Sequence, residues 1–438
     1  MGRKRNTSTV LVLLVGSSVT LAAPRQYEVL DLRSRSNETR VTALNDRGQV
    51  AGSLYHNLGG FVTRSRSAIA PFRDLLEEAR VVHDVNGSGM AVGGMAPDTA
   101  GVWFDGERRA LTIDDLPAGN SSVTGFELTA INEDGLACGV VTGDLSGGRS
   151  FMGVVYDARE DRVWELDESE RSGRVRATDI NKVGSVVGYS EAGFREGLFW
   201  LNDVQYVLDG VGQATALNDL HFIVGVANDP FLDRPVYVDS VGTHWLPTLN
   251  SMVDSSPAAV NNSNLAVGMS AERATLWRLG HSSIVDLNDR IDPALGITLN
   301  RANDINDHGE IIATQLPRFM SELSGVFLLR PVPMRLEIED LTAGDSAIAR
   351  VYGCETGATV YVYYSLQPPG NSSPFWNLEH GVRFDLFAPR LRGVATANAS
   401  GEATLVTRID EEAAGRRVWI QAYHSGNKSD IVETIVQP

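Results

Sequence analysis

An all-β fold is predicted for this 438-residue chain, on three observations. A short turn phrase recurs seven times, at spacings of 37 to 49 residues. Two further strand-like landmarks each recur seven times with it. The ends of the array are also complementary, because it opens with a landmark strand that its last unit lacks. Four short strands per unit, balanced only by circular closure, describe a seven-bladed β-propeller over residues 27–330, closed by its N-terminal strand. A small antiparallel β-sandwich is predicted to follow it.

The turn phrase centres on Asn45, Asn86, Asn132, Asn181, Asn218, Asn261 and Asn306. The residue before each is β-branched or Leu, and the residue two before is Ala or Asp. Three residues after, five copies carry Gly, with His221 and Asn264 as the exceptions. Seven residues after stand Gly52, Gly93, Gly139, Gly188, Gly225 and Gly268, with Ala313 in the seventh copy. This reads as a β-hairpin: Asn supplies turn chemistry, Gly or Asn takes positive φ, and a small apolar strand follows. These asparagines and glycines form the predicted structural repeat-turn set. The later Gly is expected to allow a neighbouring backbone to come close.

The second landmark is an apolar-aromatic strand, as in Gly101-Val102-Trp103, Gly197-Leu198-Phe199-Trp200, Ala274-Thr275-Leu276-Trp277 and Gly325-Val326-Phe327. Trp103, Trp200, Trp277 and Phe327 are read as one register, packing between units. The third is a strand ending in an Asp-Leu pair: Asp31-Leu32, Asp74-Leu75, Asp115-Leu116 and Asp286-Leu287 are the clear copies. Leu166-Asp167, Leu208-Asp209 and Trp245-Leu246 fill the remaining slots. Residues 27–32 precede any hairpin, and residues 326–329 have no Asp-Leu strand after them. Pairing the first strand with the last removes both exposed edges. A β-solenoid is the runner-up, although its repeats are shorter, about 20–30 residues.

These landmarks resemble the HAF-repeat family of extracellular repeat proteins, over roughly residues 27–330. Ala130-Ile131-Asn132-Glu133-Asp134-Gly135 and the run from Asp179-Ile180-Asn181 to Val186-Val187-Gly188 carry the likeness. The His-Ala-Phe tripeptide that names the family is absent, as in a diverged member. The resemblance implies export and a repeat fold, and it implies no catalytic residue.

Residues 1–22 read as a signal peptide. Arg3-Lys4-Arg5 is basic, residues 10–15 are apolar, and Thr20-Leu21-Ala22 offers a small-residue cleavage site. The apolar run is too short to span a bilayer, so no transmembrane segment is expected in the mature chain, which is read as secreted, periplasmic or surface-located. The formal charge is -17, becoming about -20 once the basic leader is gone. Such a surface repels phosphate backbones, which excludes nucleic acid as a natural partner. Hydrophobic residues make up 43% of the chain, enough for a sizeable core. Cys138 and Cys354 are too few for a disulfide framework, and Cys138 stands where other copies carry Val or Ile.

Arg330-Pro331-Val332-Pro333 breaks the repeat, with 331–333 as a stiff linker. Residues 334–438 alternate in short strands, including Arg335-Leu336-Glu337-Ile338-Glu339, Val360-Tyr361-Val362-Tyr363 and Arg417-Val418-Trp419-Ile420-Gln421. They form the predicted sandwich, an accessory module. Tyr361, Tyr363 and Tyr364 offer an aromatic strip for carbohydrate.

Few residues carry chemistry. Asp304, Asn306 and Glu310 come nearest to an oxygen-ligand calcium loop, yet four copies put Ala at the first position. Asp and Asn that cap turns explain the same pattern. The eight histidines lack metal-ligand spacing. Gly188-Tyr189-Ser190-Glu191-Ala192 lacks the second glycine of a nucleophile elbow. No phosphate-cradling loop is present, and no catalytic residue or cofactor is expected. The sequence therefore points to an exported non-catalytic module that binds a ligand or partner, such as a carbohydrate or a cell-envelope protein. The alternatives are a polysaccharide-cleaving lyase or glycoside hydrolase with two carboxylates converging at the axis, and a passive structural surface component.

Overall fold

Each hairpin has its shape because one asparagine satisfies its whole turn. In the computed structural model the Asn side-chain oxygen accepts from the backbone N–H four residues on, at 2.9–3.0 Å in all seven copies. The residue three after the Asn has positive φ in every copy: 72° at Gly48, 92° at Gly89, 85° at Gly135, 83° at Gly184, 60° at His221, 59° at Asn264 and 73° at Gly309. Five glycines meet that demand without a Cβ penalty; His221 and Asn264 meet it as residues that tolerate the left-handed region.

The structure describes residues 27–32, 39–54, 59–63, 75–117, 120, 122–145, 149–166, 174–191, 195–229, 231–316, 325–354, 357–369, 376–377, 382–383, 385–398, 401–424 and 427–438. The leader at 1–22, Asp74, Asp167, His56 and His380 lie outside them. The chain divides at Val332/Pro333 into a repeat unit beginning at Arg25 and a C-terminal unit, Pro333–Pro438. Pro331 is not yet linker: it ends the strand Gly325–Pro331, opposite Tyr27.

The repeat unit is all-β and propeller-like, built of antiparallel sheets. Six are four-stranded and one has three strands. Their innermost strands are Thr39–Leu44, Val81–Val85, Ser122–Ile131, Val175–Ile180, Val211–Leu217, Ser255–Val260 and Arg301–Ile305, which we number as sheets 1 to 7. Each inner strand touches the inner strand of the next sheet, and that of sheet 7 touches that of sheet 1. The outermost strand of sheet 7 is Tyr27–Asp31, paired with Gly325–Pro331 from the far end of the unit.

Apolar seams between consecutive sheets complete the circle. The seam of sheets 2 and 3 holds Val92, Leu111, Phe126, Leu128 and Val141, all fully buried or nearly so. That of sheets 7 and 1 holds Leu32, Val41, Phe61, Ile312 and Leu328. Corresponding clusters join sheets 1 and 2, 3 and 4, 4 and 5, 5 and 6, and 6 and 7.

Several landmarks fall in different registers from those the sequence implies. The six glycines seven residues after the Asn are not turn residues; they lie in the second hairpin strand. Opposite each, the inner strand bulges, leaving Thr42, His83, Thr129, Thr178, Thr215 or Ala258 out of the pairing. A Cβ at Gly188 would overlap the carbonyl oxygen of Arg176, and the other five glycines face an equivalent carbonyl. The leucine that ends each outermost strand is fixed by its pairing. In sheet 1 it is Leu76, whose N–H donates to Gly60 O at 3.0 Å, rather than Leu75. In sheet 2 it is Leu111, opposite Ala100; Leu116 lies beyond a 3₁₀ turn, Ile113–Asp115. Trp103, Trp200 and Trp277 do share one register, opposite Ala91, Val186 and Ala266. Phe327 is two residues earlier, opposite Ala313.

In the C-terminal unit one sheet joins Arg335–Glu339, Ser346–Tyr352 and Ala403–Arg408. A second joins Arg390–Thr396, Thr359–Ser365 and Arg417–His424. Leu336, Ala349 and Val351 of the first share an apolar cluster with Val360, Val362, Val418 and Ile420 of the second.

Deleting residues 27–32 is expected to expose the Gly325–Pro331 edge and to remove fully buried Leu32 from its seam. The unfolding midpoint should fall and the chain should associate with rising concentration. Thermal melts with light scattering check this; a monomer melting like the full chain would contradict the closure.

Candidate functional site: the axis of the repeat unit

Three layers of polar groups lie along the inner strands. The layer at the hairpin turns is a closed ring of asparagines. Asn45 Nδ2 donates to Asn86 O at 2.8 Å, and Asn86 in turn to Asn132 O at 2.9 Å. Asn132 continues to Asn181 O at 2.9 Å, and Asn181 to Asn218 O at 3.2 Å. Asn218 donates to Asn261 O at 3.0 Å and Asn261 to Asn306 O at 3.0 Å. Asn306 closes the ring on Asn45 O at 3.1 Å. All seven residues are buried, at 3–5% exposure, so these groups have no water to fall back on.

A second set of bonds runs just outside the ring. Lys182 N donates to Asp219 Oδ1, Asp219 N to Asn262 Oδ1, Asn262 N to Asp307 Oδ1 and Asp307 N to Asp46 Oδ1, at 2.8–2.9 Å. Gly87 N donates to Glu133 Oε1 at 2.7 Å. The seams of sheets 1 with 2 and 3 with 4 lack such a bond among the described residues. There the accepting position is Gly87 or Lys182, whose side chains offer no acceptor.

The second layer is Asp84, Asp179 and Asp304, two residues before the ring asparagines of sheets 2, 4 and 7. Each carboxylate bridges two sheets. Asp84 Oδ2 accepts from Ile131 N at 2.8 Å, Asp179 Oδ2 from Leu217 N at 2.9 Å and Asp304 Oδ2 from Leu44 N at 2.7 Å. The other oxygen of each accepts from its own following residue, Val85, Ile180 or Ile305. By surface area the three are half-buried, yet protein surrounds them on the axis and desolvation dominates their ionisation. Burial raises the Asp84 carboxyl, raises Asp304 well above the usual carboxylate range and raises Asp179 to about 7. Asp179 also feels the charge of Asp84, and Asp304 those of Asp84 and Asp179, against the stabilising N–H bonds.

The third layer lies at the other end of the inner strands, five residues before each ring asparagine. Sheets 1, 4 and 7 carry Arg40, Arg176 and Arg301 there, and sheet 3 carries Glu127. Glu127 reaches back to sheet 2, where it meets His83 Nε2 at 3.0 Å and the Arg80 guanidinium. The His83 hydrogen bond, with the Arg80 charge, holds its pKa down at about 2 against partial burial. Arg176 pairs with Glu191 at 3.2 Å and lies over the Phe151 ring at 4.3 Å.

The proposed calcium set does not assemble. Asp304 oxygens are taken by Leu44 N and Ile305 N, while Asn306 Nδ2 donates to Glu310 Oε2 at 2.9 Å. Glu310 also faces Arg330 at 3.5 Å. Among the described residues no group of three or more His, Cys, Asp or Glu side chains could hold a metal ion. Ser190 is buried inside the strand Val186–Ser190, with no elbow. Cys138 and Cys354 are both buried, and desolvation pushes the Cys138 thiol above its usual range. The tyrosine strip is not exposed either: Tyr363 is buried with Leu386, Trp419 and Tyr423. Tyr364 instead lines a cavity of about 700 Å³ between the two C-terminal sheets. Its walls are apolar, with Ile338, Val362, Leu405 and Ile420, and its mouth mixes Arg390, Arg408 and Arg416 with Asp410, Glu411 and Glu412.

No protein-family model matches the sequence, and no curated protein matches it. Solved structures share its outline. One is a chain of the mitotic checkpoint complex, 11% identical, with a TM-score of 0.44 over 74% of this chain and 99% of that one. Another is an extracellular domain assigned to a hybrid two-component system of B. thetaiotaomicron, 8% identical, with a TM-score of 0.41; the match covers 74% of this chain and 46% of the other. A third is the PQQ-bound aldose sugar dehydrogenase of Streptomyces coelicolor, 11% identical, with a TM-score of 0.36 over 70% and 99% of the two chains. At these identities and scores the likeness carries no inference about ligand or activity. Among the described residues no helix is long and apolar enough to cross a membrane.

Two expectations follow. Asn181→Ala should cost about 2–4 kcal/mol, because it strands buried partners in two sheets. Asn181→Asp should cost more at pH 8 than at pH 5, since it sets a carboxylate against a buried carbonyl. Urea midpoints of both variants check this. The second concerns Asp179. An unfolded aspartate ionises near 4. Between there and about 7 the folded chain keeps a proton that the unfolded chain releases. Stability from this group is therefore fullest below about pH 4 and is lost as pH rises through about 7. Asp179→Asn should flatten the pH dependence of the unfolding free energy from urea titrations, between pH 5 and pH 8, by on the order of 2 kcal/mol relative to wild type; an unchanged slope would refute it.

Proposed function

We propose that this chain is an exported, non-catalytic binding module: a seven-bladed β-propeller closed by its N-terminal strand, with a β-sandwich as accessory module. The observation that carries this reading is the use made of the axial polar groups. The seven asparagine amides and the three aspartate carboxylates hydrogen-bond to backbone groups of the neighbouring sheet. They hold a rigid platform together, and the loops and strand ends around it are left to meet a ligand or partner. The N-terminal leader motif supports export, and the HAF-repeat resemblance fits an extracellular location. A carbohydrate or a cell-envelope protein is the natural class of partner.

One observation favours a second reading, a polysaccharide-cleaving enzyme. Asp84, Asp179 and Asp304 come from three sheets to one axis with raised pKa values, and Asp179 near 7 has the ionisation of a general acid. Their double engagement by N–H groups weighs on the structural side. Screening the mature chain against neutral and acidic glycans and envelope proteins separates the readings. Saturable binding without release of reducing or unsaturated ends is expected. Cleavage that disappears in Asp179→Asn would establish the enzyme, and no binding at all would leave the passive surface component.

A further inference from the structure

In a chain with 55 acidic and 38 basic Lys and Arg residues, two neighbouring arginines without an ion pair among the described residues stand out. Arg40 and Arg301 occupy the same position on the inner strands of sheets 1 and 7. Circular closure sets those strands side by side: Leu44 N donates to Asp304 Oδ2 at 2.7 Å, and Asn303 Nδ2 to Val41 O at 3.4 Å. The seam of sheets 2 and 3 shows what this position does elsewhere. Glu127 lies there between Arg80 and His83, so the arginine has a carboxylate and the histidine a hydrogen-bond partner. In the seam of sheets 7 and 1 the corresponding positions are Arg40, Asn300 and Asn303.

The two asparagines cannot serve as counter-charges. Asn300 is spent on Glu272 O and Leu316 N, and Asn303 on Val41 O and Thr314. Neither Arg40 nor Arg301 has an ion pair among the described residues, whereas Arg176, in the same register, has Glu191. Both arginines remain accessible by surface area. Protein nevertheless crowds Arg301; this desolvation and the Arg40 charge lower its pKa, and no carboxylate opposes them. Leaving two like charges unmatched is unfavourable unless something else neutralises them.

We propose that Arg40 and Arg301 form an oxyanion-binding site at the seam of sheets 7 and 1, taking a carboxylate, sulfate or phosphate group, free or carried on a polysaccharide. Planar guanidinium forks from two strands suit two oxygens of one such group. The inference rests on the binding-module reading and names its ligand class.

The test uses the whole mature chain. Sodium sulfate and sodium phosphate are compared with sodium chloride at equal ionic strength by thermal shift. Dextran sulfate and polygalacturonate are compared with neutral dextran by calorimetry. Expected is a rise in Tm with the oxyanions beyond that with chloride, and saturable binding of at least one acidic polymer but not of dextran. Sulfate or phosphate alone sufficing identifies a free anion; a response to the polymers only identifies a glycan-borne group. Arg40→Gln/Arg301→Gln should weaken binding by about tenfold or more, with the Arg→Lys pair losing less. The unliganded Gln variant should melt no lower than wild type, which separates lost binding from lost folding. Equal shifts with all salts, or acidic-polymer binding unchanged in the Gln variant, overturns the site. Binding confined to neutral glycans overturns the site while leaving the binding-module reading intact. Absence of any ligand in the wider screen overturns that reading as well.

Discussion

The amide of one asparagine per repeat carries the repeat unit. Its oxygen closes the hairpin on its own chain, and its nitrogen joins that hairpin to the carbonyl of the equivalent asparagine in the next sheet. Only an amide of this length has an acceptor and a donor in one rigid plane. Asp would lack the donor, and Ser would offer a single atom for both tasks. Because each Asn carbonyl also accepts from the residue three positions on, as Gly48 N does to Asn45 O at 2.9 Å, every turn has the same length and backbone path. The positive φ at that third residue follows from this path, which is why five glycines, a His and an Asn occupy it. A ring of seven such links has no free end. A defect in one link leaves buried polar groups unpaired in two sheets, so the ring favours a single count of sheets and a single register.

Much of this was legible in the chain, because the ring leaves a local trace. The asparagine, the positive-φ residue and the later glycine sit at fixed offsets, and those offsets survive where the surrounding residues do not. The complementary ends were legible for the same reason, as Tyr27–Asp31 pairs with Gly325–Pro331. Where the trace depends on cross-strand pairing, sequence reading slipped. Leu75 and Leu116 carry the preceding Asp that marks the outermost strand, but pairing selects Leu76 and Leu111. Phe327 matches the tryptophans in composition and lies one pleat away, on the same face but two residues earlier. The glycines in the second strand read as places where a neighbouring backbone comes close, and one does, but its cause, a bulge on the partner strand such as Thr178 opposite Gly188, is set by pairing and written in no single motif. The tyrosine strip failed on burial: alternate residues of Thr359–Ser365 face opposite sides, and Tyr363 faces Trp419 and Tyr423.

The candidate sites were less legible still, because they arise from closure. Arg40 and Arg301 are separated by almost the full repeat array, and only the meeting of sheets 7 and 1 makes them neighbours. Asp84, Asp179 and Asp304 could be seen as variants at one repeat position. That they would share an axis, feel one another's charge and bridge to backbone N–H groups required the ring. The Asp carboxylates also show how a repeat can vary without losing its fold. Where the position is Ala, as at Ala43, Ala130, Ala216 and Ala259, the adjoining sheets hold by packing, by the asparagines and, beyond sheets 5 and 6, by the Asp219 and Asn262 N–H bonds. Where it is Asp, a further inter-sheet bond is gained and a desolvated charge is accepted with it.

Charge is therefore distributed along the axis in a definite order. Acidic and amide side chains collar the turn end, where Asp46, Glu133, Asp219, Asn262 and Asp307 accept N–H bonds across the seams. Three desolvated carboxylates occupy the next layer. Arginines occupy the far end, and two of the three have no ion pair among the described residues. The N–H donors at the turns explain the first layer, since acceptors are what those turns require. The bridging bonds to Ile131, Leu217 and Leu44 explain the second. Neither the ring nor the bulges require arginine in the third, because Gln213 and Ser256 hold the same position in sheets 5 and 6. A cation that the fold does not need, placed beside another in a strongly acidic chain, is accounted for by something outside the chain that carries the opposite charge.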